Sequence, residues 1–279
     1  MKTIAITTKH ITSSKNNNFT YTFPQEIDLT NKQIGLASLN MFYSMYNISS
    51  AKNNNQVQYI YNGTTYTVTF PNMIAEVADM NSYLQFVFRS NNHYLNHENG
   101  SVLYPINIFI DQARYAIAVV CNEIPNSFST TYPSTSNTHF TLPTSSFIPQ
   151  FKMLATNDFH KLIGFANDYI TNVSNASSSK TDFSIVSPIL NPDANLLVNL
   201  DNGIDNRYAV PSGILHSFSV NVAPSSQIIE RPSQIAFVDC QAGFYDRVSL
   251  RILNADTLAD IDIRDPEIAI LLLIKDKNE

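Results

Sequence analysis

The sequence has no tryptophan, only seven glycines and two cysteines, and 14% charged residues. Each shortage closes off a class of function. With so few glycines there is little from which to build a loop that cradles phosphate on backbone N–H groups. No Gly-x-Ser-x-Gly elbow, phosphate loop or dinucleotide fingerprint occurs. Cys121 and Cys240 form neither a disulfide framework nor a metal-binding spacing, so both read as small buried hydrophobes. No run reaches 18 apolar residues, so no segment reads as a membrane-spanning helix. Met1–Lys15 lacks the continuous apolar core that a secretory signal needs. The formal net charge of -6 and pI near 5.5 leave the chain without the basic character of an electrostatic nucleic-acid binder, and no specific nucleic-acid binding is expected.

What is present is a hydrophobic fraction of 44%, 14 Tyr and 17 Phe, and a polar remainder dominated by Asn, Ser and Thr. An ordinary soluble domain carries about 25% charged residues. A surface of amides and hydroxyls is more easily buried against other protein, because charged groups are depleted from interface cores. That composition suits an assembly subunit and equally a neutral secreted β protein. Asn-x-Ser/Thr sequons at Asn47, Asn62, Asn99, Asn172 and Asn175 are what such a chain produces by chance.

The organising stretch is Asn31–Asn47. Ile34, Leu36, Ser38, Asn40, Phe42 and Ser44 fall on one side of a strand, and Gly35, Ala37, Leu39, Met41, Tyr43 and Met45 on the other. Both sides are apolar or small, so the expectation is a long strand covered on both faces. Before it, Thr3–Thr7 reads as a leading strand, although Lys2, Lys9, His10 and Lys15 would also serve a basic arm. Phe19–Phe23 alternates aromatic with threonine and is expected to stop at Pro24, with Glu26–Leu29 continuing after the break.

Beyond the polar run Lys52–Asn55, Val57–Tyr61 and Thr65–Phe70 flank Asn62-Gly63, a hairpin with the residues a tight turn requires. Val77, Met80, Leu84 and Val87 or Phe88 follow at helical spacing. Tyr104–Ile110 and Arg114–Cys121 read as strands, 126–149 as a long Ser/Thr/Pro-rich loop, and Asn157–Gly164 as a short capped helix. The segment 171–180 is low in complexity. Short β-type runs then recur at Leu196–Val198, Ile214–Val222, Gln227–Ile229, Ile235–Cys240, Val248–Leu253 and Ile268–Ile274. Pro211-Ser212-Gly213, Ala223-Pro224 and Arg231-Pro232 separate them. The last run is apolar throughout and reads as a central strand buried on both faces. The simplest architecture is mainly β: a discontinuous sandwich, 1–50 plus 181–279, with an α+β domain, 51–180, inserted.

No catalytic constellation is found, and no catalytic, cofactor-binding or metal-binding residue is nominated. His93 and His97 with Glu98 have the spacing of a metal pair, but their Asn-rich surroundings read as a solvated loop. Asp256, Asp260, Asp262, Asp265 and Glu267 would offer calcium ligands, but their alternation with Leu258, Ala259, Ile261 and Ile263 reads as a turn and strand edge. His10, His139, His160 and His216 stand alone.

Several segments recur in one order: FTYTFPQEIDLTNKQIGLASLNMFYSMYNIS, NNNQVQYIY, TVTFPNMIAEVADMNSYLQFV, FHKLIGF, LLVNLDNGIDNRYAVPSGILHSFSV, QIIERPSQIAFVDCQAGFYDRVSLRILNAD and IRDPEIAILLLIKDK. In that order the chain resembles the penton, or minor capsid, proteins of virophages and Polinton-like viruses. Only 126–149 and 171–180 are left unmatched. The resemblance implies a jelly-roll β-sandwich with an inserted, outward-facing α+β domain. It further implies a homopentamer at the five-fold vertices of an icosahedral virion, assembled inside the infected host cell. The partners implied are copies of itself, a double jelly-roll major capsid protein and a host receptor on the inserted domain. It implies neither enzymatic activity nor a cofactor. The alternative is a jelly-roll receptor- or carbohydrate-binding module of a virion spike. Sugar sites usually stack the ring on aromatic side chains, for which zero Trp is unfavourable and Tyr a substitute.

Overall fold

The computed structural model describes residues 1–173, 178–204, 213–223 and 225–278. The sequon at Asn175 and the separators Pro211-Ser212 and Pro224 lie outside the described residues. The chain divides into two compact units, Met1–Met45 with Asp193–Glu279, and Tyr46–Pro192. The first begins with β1 (Lys2–Ile6), β2 (Asn18–Asp28) and β3 (Lys32–Phe42). The second holds β4 (Gln56–Tyr61), β5 (Thr64–Thr69), helix α1 (Val77–Ser90), β6 (Leu95–Asn96), β7 (Val102–Leu103), β8 (Ile106–Asp111), β9 (Ala116–Asn122), β10 (Gln150–Lys152), helix α2 (Phe159–Ile163) and β11 (Ser179–Phe183). The first unit resumes with β12 (Asn195–Leu200), β13 (Ile214–Ser219), β14 (Gln227–Glu230), β15 (Val238–Asp239), β16 (Phe244–Asn254) and β17 (Ala269–Asp276). Among the described residues no helix is long and apolar enough to cross a membrane.

In the first unit, one sheet runs β1-β17-β3-β14, with β15 also on β3, and the other runs β13-β12-β16-β2; every pairing is antiparallel. With the short β15 set aside, the eight strands are distributed between the two sheets in the order of a jelly roll. Strands one, eight, three and six make one sheet, and two, seven, four and five the other. Ile34, Leu39, Ile270 and Leu272 of the first sheet and Phe19, Val198, Leu250 and Ile252 of the second share a single apolar core. The second unit lies, in sequence, in the β3–β12 connection.

The expectation for Asn31–Asn47 needs a correction. Leu271 of β17 pairs with Ser38 but Leu272 pairs with Leu36, so Ala37 is an extra residue, a β-bulge. Because side chains alternate with period two, one extra residue exchanges the faces. Ile34 and Leu36 before the bulge, and Leu39, Met41, Tyr43 and Met45 after it, therefore all enter one core. Two half-patterns of opposite parity look, in sequence, like a strand that is apolar on both sides. The opposite face is only partly covered. At Gly35 a Cβ would lie 2.6 Å from Ile235 Cγ2 and 3.0 Å from the Ala236 carbonyl oxygen, so the approach of that segment requires glycine.

β17 is central by pairing, between β1 and β3, but not buried on both faces. Ile270, Leu272 and Ile274 are in the core, whereas Leu271 and Leu273 are half-buried. Pro24 does not end a strand either: β2 runs through it, exposed at a sheet edge where the β16 register is irregular and the missing N–H breaks no ladder bond. Of Ile235–Cys240, only Val238–Asp239 joins a sheet.

The second unit has its own core, built from two three-stranded sheets, β10-β4-β5 and β11-β9-β8, the small pair β6-β7, and the two helices. Asn62 and Gly63 have positive φ, 47° and 78°, as the hairpin turn demands. Helix α1 buries Val77, Met80, Leu84 and Phe88, the stripe expected from spacing. It also covers the edge of β8, where Asn81 Oδ1 accepts the Ile108 N–H at 2.9 Å. Helix α2 buries Phe159, Leu162 and Ile163 and ends at Gly164, φ 78°. The low-complexity run conceals β11, which pairs with β9; the expected junction near 180 falls inside this unit, whose bounds are 46 and 192.

Loops in this unit are braced from within by asparagine. Asn47, 4% exposed, accepts the Ala75 N–H at 2.8 Å and donates to the carbonyls of Ala75 (2.7 Å) and Leu190 (2.8 Å). Asn54 donates to the Asn47 carbonyl at 2.7 Å and accepts the Ser49 N–H at 2.9 Å. The sequon asparagine at position 47 is thus a buried strut.

Two outcomes follow for stability. Ile270→Asp places an unpaired charge in the core and is expected to cost several kcal/mol, comparable with a total stability of about 5–15 kcal/mol. Leu271→Asp, on the half-covered face, should cost only about 1–2 kcal/mol. Denaturant midpoints measure both, and equal losses would mean that both faces are sealed. Asn47→Ala strands three buried backbone groups and is expected to cost about 2–4 kcal/mol. The loss should register as faster amide exchange around Ala75, with β17 unaffected.

Candidate interaction surfaces

The residues with latent chemistry are dispersed. Cys121 and Cys240 are free and buried in different units, and burial pushes both thiols up to about 11, away from reactive thiolate. Asp256, Asp260, Asp262 and Glu267 are exposed while Ile261 and Ile263 point into the core, the alternation of a strand-like loop. Asn254 organises its start, accepting from the backbone N–H groups of Asp256 and Thr257, both at 2.9 Å. Asp265 Oδ1 accepts the Glu267 N–H at 2.7 Å. Among the described residues no group of three or more His, Cys, Asp or Glu side chains is placed to hold a metal ion.

The isolated histidines each have a local partner. His10 Nδ1 accepts the Thr7 N–H at 3.0 Å, His160 Nδ1 lies 3.0 Å from the Asn157 carbonyl, and His139 Nε2 lies 3.1 Å from the Tyr94 carbonyl. His216 Nε2 meets Glu230 Oε1 at 2.9 Å, linking β13 to β14.

His93 and His97 do not act as a pair. His97 Nδ1 accepts the Asn99 N–H at 3.1 Å within its own turn. His93, expected in a solvated loop, instead packs into an aromatic box on the β4–β5 hairpin. It stacks on Tyr61, with centroids 3.8 Å apart and planes 9° from parallel, and Tyr66 meets it edge-on at 4.8 Å. Tyr59 Oη lies 3.0 Å from His93 Nδ1 and accepts from Asn91 Nδ2 at 2.9 Å. Burial holds the imidazole down to about 4 and raises the Tyr59 hydroxyl to about 12, so both are neutral near pH 7. With Asn91 donating to it, the Tyr59 hydroxyl shares one further hydrogen bond with His93 Nδ1, whose direction is set by the imidazole tautomer.

This box floors a cleft of about 330 Å³. Tyr61, Tyr66, His93 and Phe140 supply aromatic surface, and Asn62, Thr64, Asn91, Asn92 and Thr141 supply amides and hydroxyls. A second, more apolar depression of about 490 Å³ in the same unit is lined by Ile110, Tyr115, Ile117, Pro188, Ile189 and Leu190. Ile110, Tyr115 and Ile189 are 50%, 78% and 55% exposed.

In the jelly-roll unit two of the sheet edges are interrupted. β14 and β15 share one edge, separated by residues 231–237, and β2 carries its Pro24 irregularity on another. Such edges resist strand addition and leave side-chain contact as the route to association. Asp239 of β15 ties β3 to the residue just past β17, accepting from Gln33 Nε2 at 2.8 Å and Lys277 Nζ at 2.6 Å. Those two donors hold its carboxyl below the ordinary range.

No protein-family model matches the chain, and no curated protein does. Among solved structures it is similar to the crystal structure of SeMet-labelled mavirus penton protein, with a TM-score of 0.45 and 11% identity over 98% of each chain. It is also similar to the 3.5 Å cryo-EM structure of the Sputnik virophage, with a TM-score of 0.38 and 13% identity over 100% of this chain and 99% of that one. Likeness at this level has no functional weight by itself.

The His93 box sets a pH dependence. Between about 4 and the ordinary 6.5, the unfolded chain binds a proton at His93 that the folded chain does not, so stability rises with pH across that window. Amide protection of α1 and β4 is therefore expected to weaken steadily from pH 7 to 4.5. His93→Gln should flatten that dependence, whatever it does to stability at pH 7. A wild-type profile already flat over the same range would mean that His93 is solvated and protonates freely.

Proposed function

We propose that this chain is a structural subunit of an icosahedral virus capsid, in which five copies close each five-fold vertex. The observation that carries the reading is the strand order, β1-β17-β3-β14 against β13-β12-β16-β2, with residues 46–192 in the β3–β12 connection. Jelly rolls of this order recur as shell and lectin domains, so fold alone leaves several functions open. Three features favour the shell. The chain resembles penton proteins in the order of its segments. Only 14% of its residues are charged, which lowers the desolvation cost of packing copies together. Two of its sheet edges, β14/β15 and β2, are interrupted, which favours contact there through side chains and loops and not through continued sheets.

A closed ring of five requires a head-to-tail interface whose rotation returns on itself. Each seam is then used five times, and a modest contact suffices while the ring is closed. In this reading the jelly-roll unit builds the ring and meets a double jelly-roll major capsid protein. The 46–192 unit faces outward, where a host receptor would be met. No catalytic step is assigned.

Sedimentation velocity over a range of concentrations is expected to show monomer and pentamer as the main species, unchanged by EDTA, which should also leave the melting temperature in place. Reconstruction of particles should put this chain at the five-fold positions. A stable trimer, density at two-fold or three-fold positions, or absence from particles would overturn the assignment.

A further inference from the structure

We infer that the cleft between the β4–β5 turn and the end of α1 binds a neutral, hydroxyl-rich ligand, the sugar ring of a glycan. None of the residues lining it is Asp, Glu, Lys or Arg. An ammonium ligand would find no carboxylate there, a phosphate or carboxylate would find no Lys or Arg and only the His139 imidazole beside His93, and a purely apolar ligand would strand the amides and hydroxyls. What the lining offers is the half-buried Tyr66 and His93 rings, backed by buried Tyr61 and Phe140, beside groups that both donate and accept. Sugars need this pairing, because their C–H faces are apolar and their edges carry hydroxyls.

The site is built and not merely open. Tyr61 is held by the His93 stack on one side and by the edge of Phe147 at 4.9 Å. Tyr66 is stacked on Tyr59 at 5.1 Å, and Tyr59 is itself fixed by Asn91 and His93. The floor is therefore pre-organised, which reduces the ordering cost of binding. The amide-bearing rim residues are equally constrained in backbone. Asn62 and Asn92 both occupy the left-handed region, φ 47° and 58°, at the ends of the hairpin and the helix. Their side chains are exposed and, among the described residues, have no hydrogen-bond partner. A volume of about 330 Å³ lies at the small end of ligand pockets, about 300–1,000 Å³, and suits a mono- or disaccharide.

This inference stands on the cleft alone. A chain that forms no pentamer would still bind the sugar, and a chain that binds none could still close a vertex.

Saturation-transfer NMR on the full chain, with glucose, galactose, mannose, fucose, N-acetylglucosamine, glucuronic acid and adenosine as separate probes, tests it. At least one neutral sugar is expected to receive saturation, with millimolar affinity that raising the salt concentration does not alter. Tyr66→Ala and Asn92→Asp should each weaken that binding by about tenfold, the scale of one lost hydrogen bond or stacking contact. Asn92→Asp matters most, because it is isosteric, exposed and tolerated in the left-handed region, so the fold survives it. Ile189→Ala, at the other depression, should change nothing. Silence from every neutral sugar, a preference for glucuronic acid or adenosine, or binding that survives both cleft variants would overturn the assignment.

Discussion

The jelly-roll unit depends on how β17 is threaded between β1 and β3. From Lys32 to Asn40, β3 runs beside the whole of β17, and Ala37 is the one residue of that stretch with no partner. That bulge allows Ile34 and Leu36 to share a core with Leu39, Met41, Tyr43 and Met45. In a regular strand of this sequence, one half of the set would face away from the core. The free energy at stake is large, since a fully buried aliphatic side chain contributes about 1.5–3 kcal/mol. Bulging costs little beside that, and the added twist helps the sheet to curl.

The second unit meets a different constraint. Its long connections, 126–149 above all, run where backbone groups would lack partners, and asparagine serves as the portable one. Asn137, fully buried, accepts the Asn96 N–H at 2.6 Å and donates to the Asn96 and Pro133 carbonyls at 2.9 Å each. Asn157 accepts from Gln56 and Phe159. An asparagine-rich composition that looks like solvated surface is, at these positions, interior bracing. Such amides carry no charge, so they are buried without the desolvation cost of a carboxylate.

Both units are consistent with a protein that works by contact. Low charge makes the exterior easy to cover, and the interruptions at β14/β15 and β2 disfavour sheet growth at those two edges. The cleft on the 46–192 unit belongs to the same chemistry at smaller scale, with neutral groups on a rigid aromatic base. Shell-building and glycan contact need not compete, because the first is proposed for the jelly-roll unit and the second for the 46–192 unit.

Much of this was legible in the residues. Period-two alternation located most of the strands, Asn62-Gly63 announced its hairpin, and the Val77–Phe88 stripe announced α1, because these signals are local and depend on neighbours within a few positions. The absence of glycine-rich and nucleophile motifs was equally readable. Tertiary structure decided the rest. Only pairing with β17 shows that Ala37 is supernumerary, since a bulge is a relation between two strands. Only the sheet edge explains why Pro24 is tolerated. β11 was hidden because Ser179–Phe183 has no strong strand character of its own and is held by β9. His93 and His97 share a spacing but not a surrounding. A hairpin distant in sequence turned one of them into the wall of a cleft, and which side chains meet across such distances is set by packing, which no local pattern encodes.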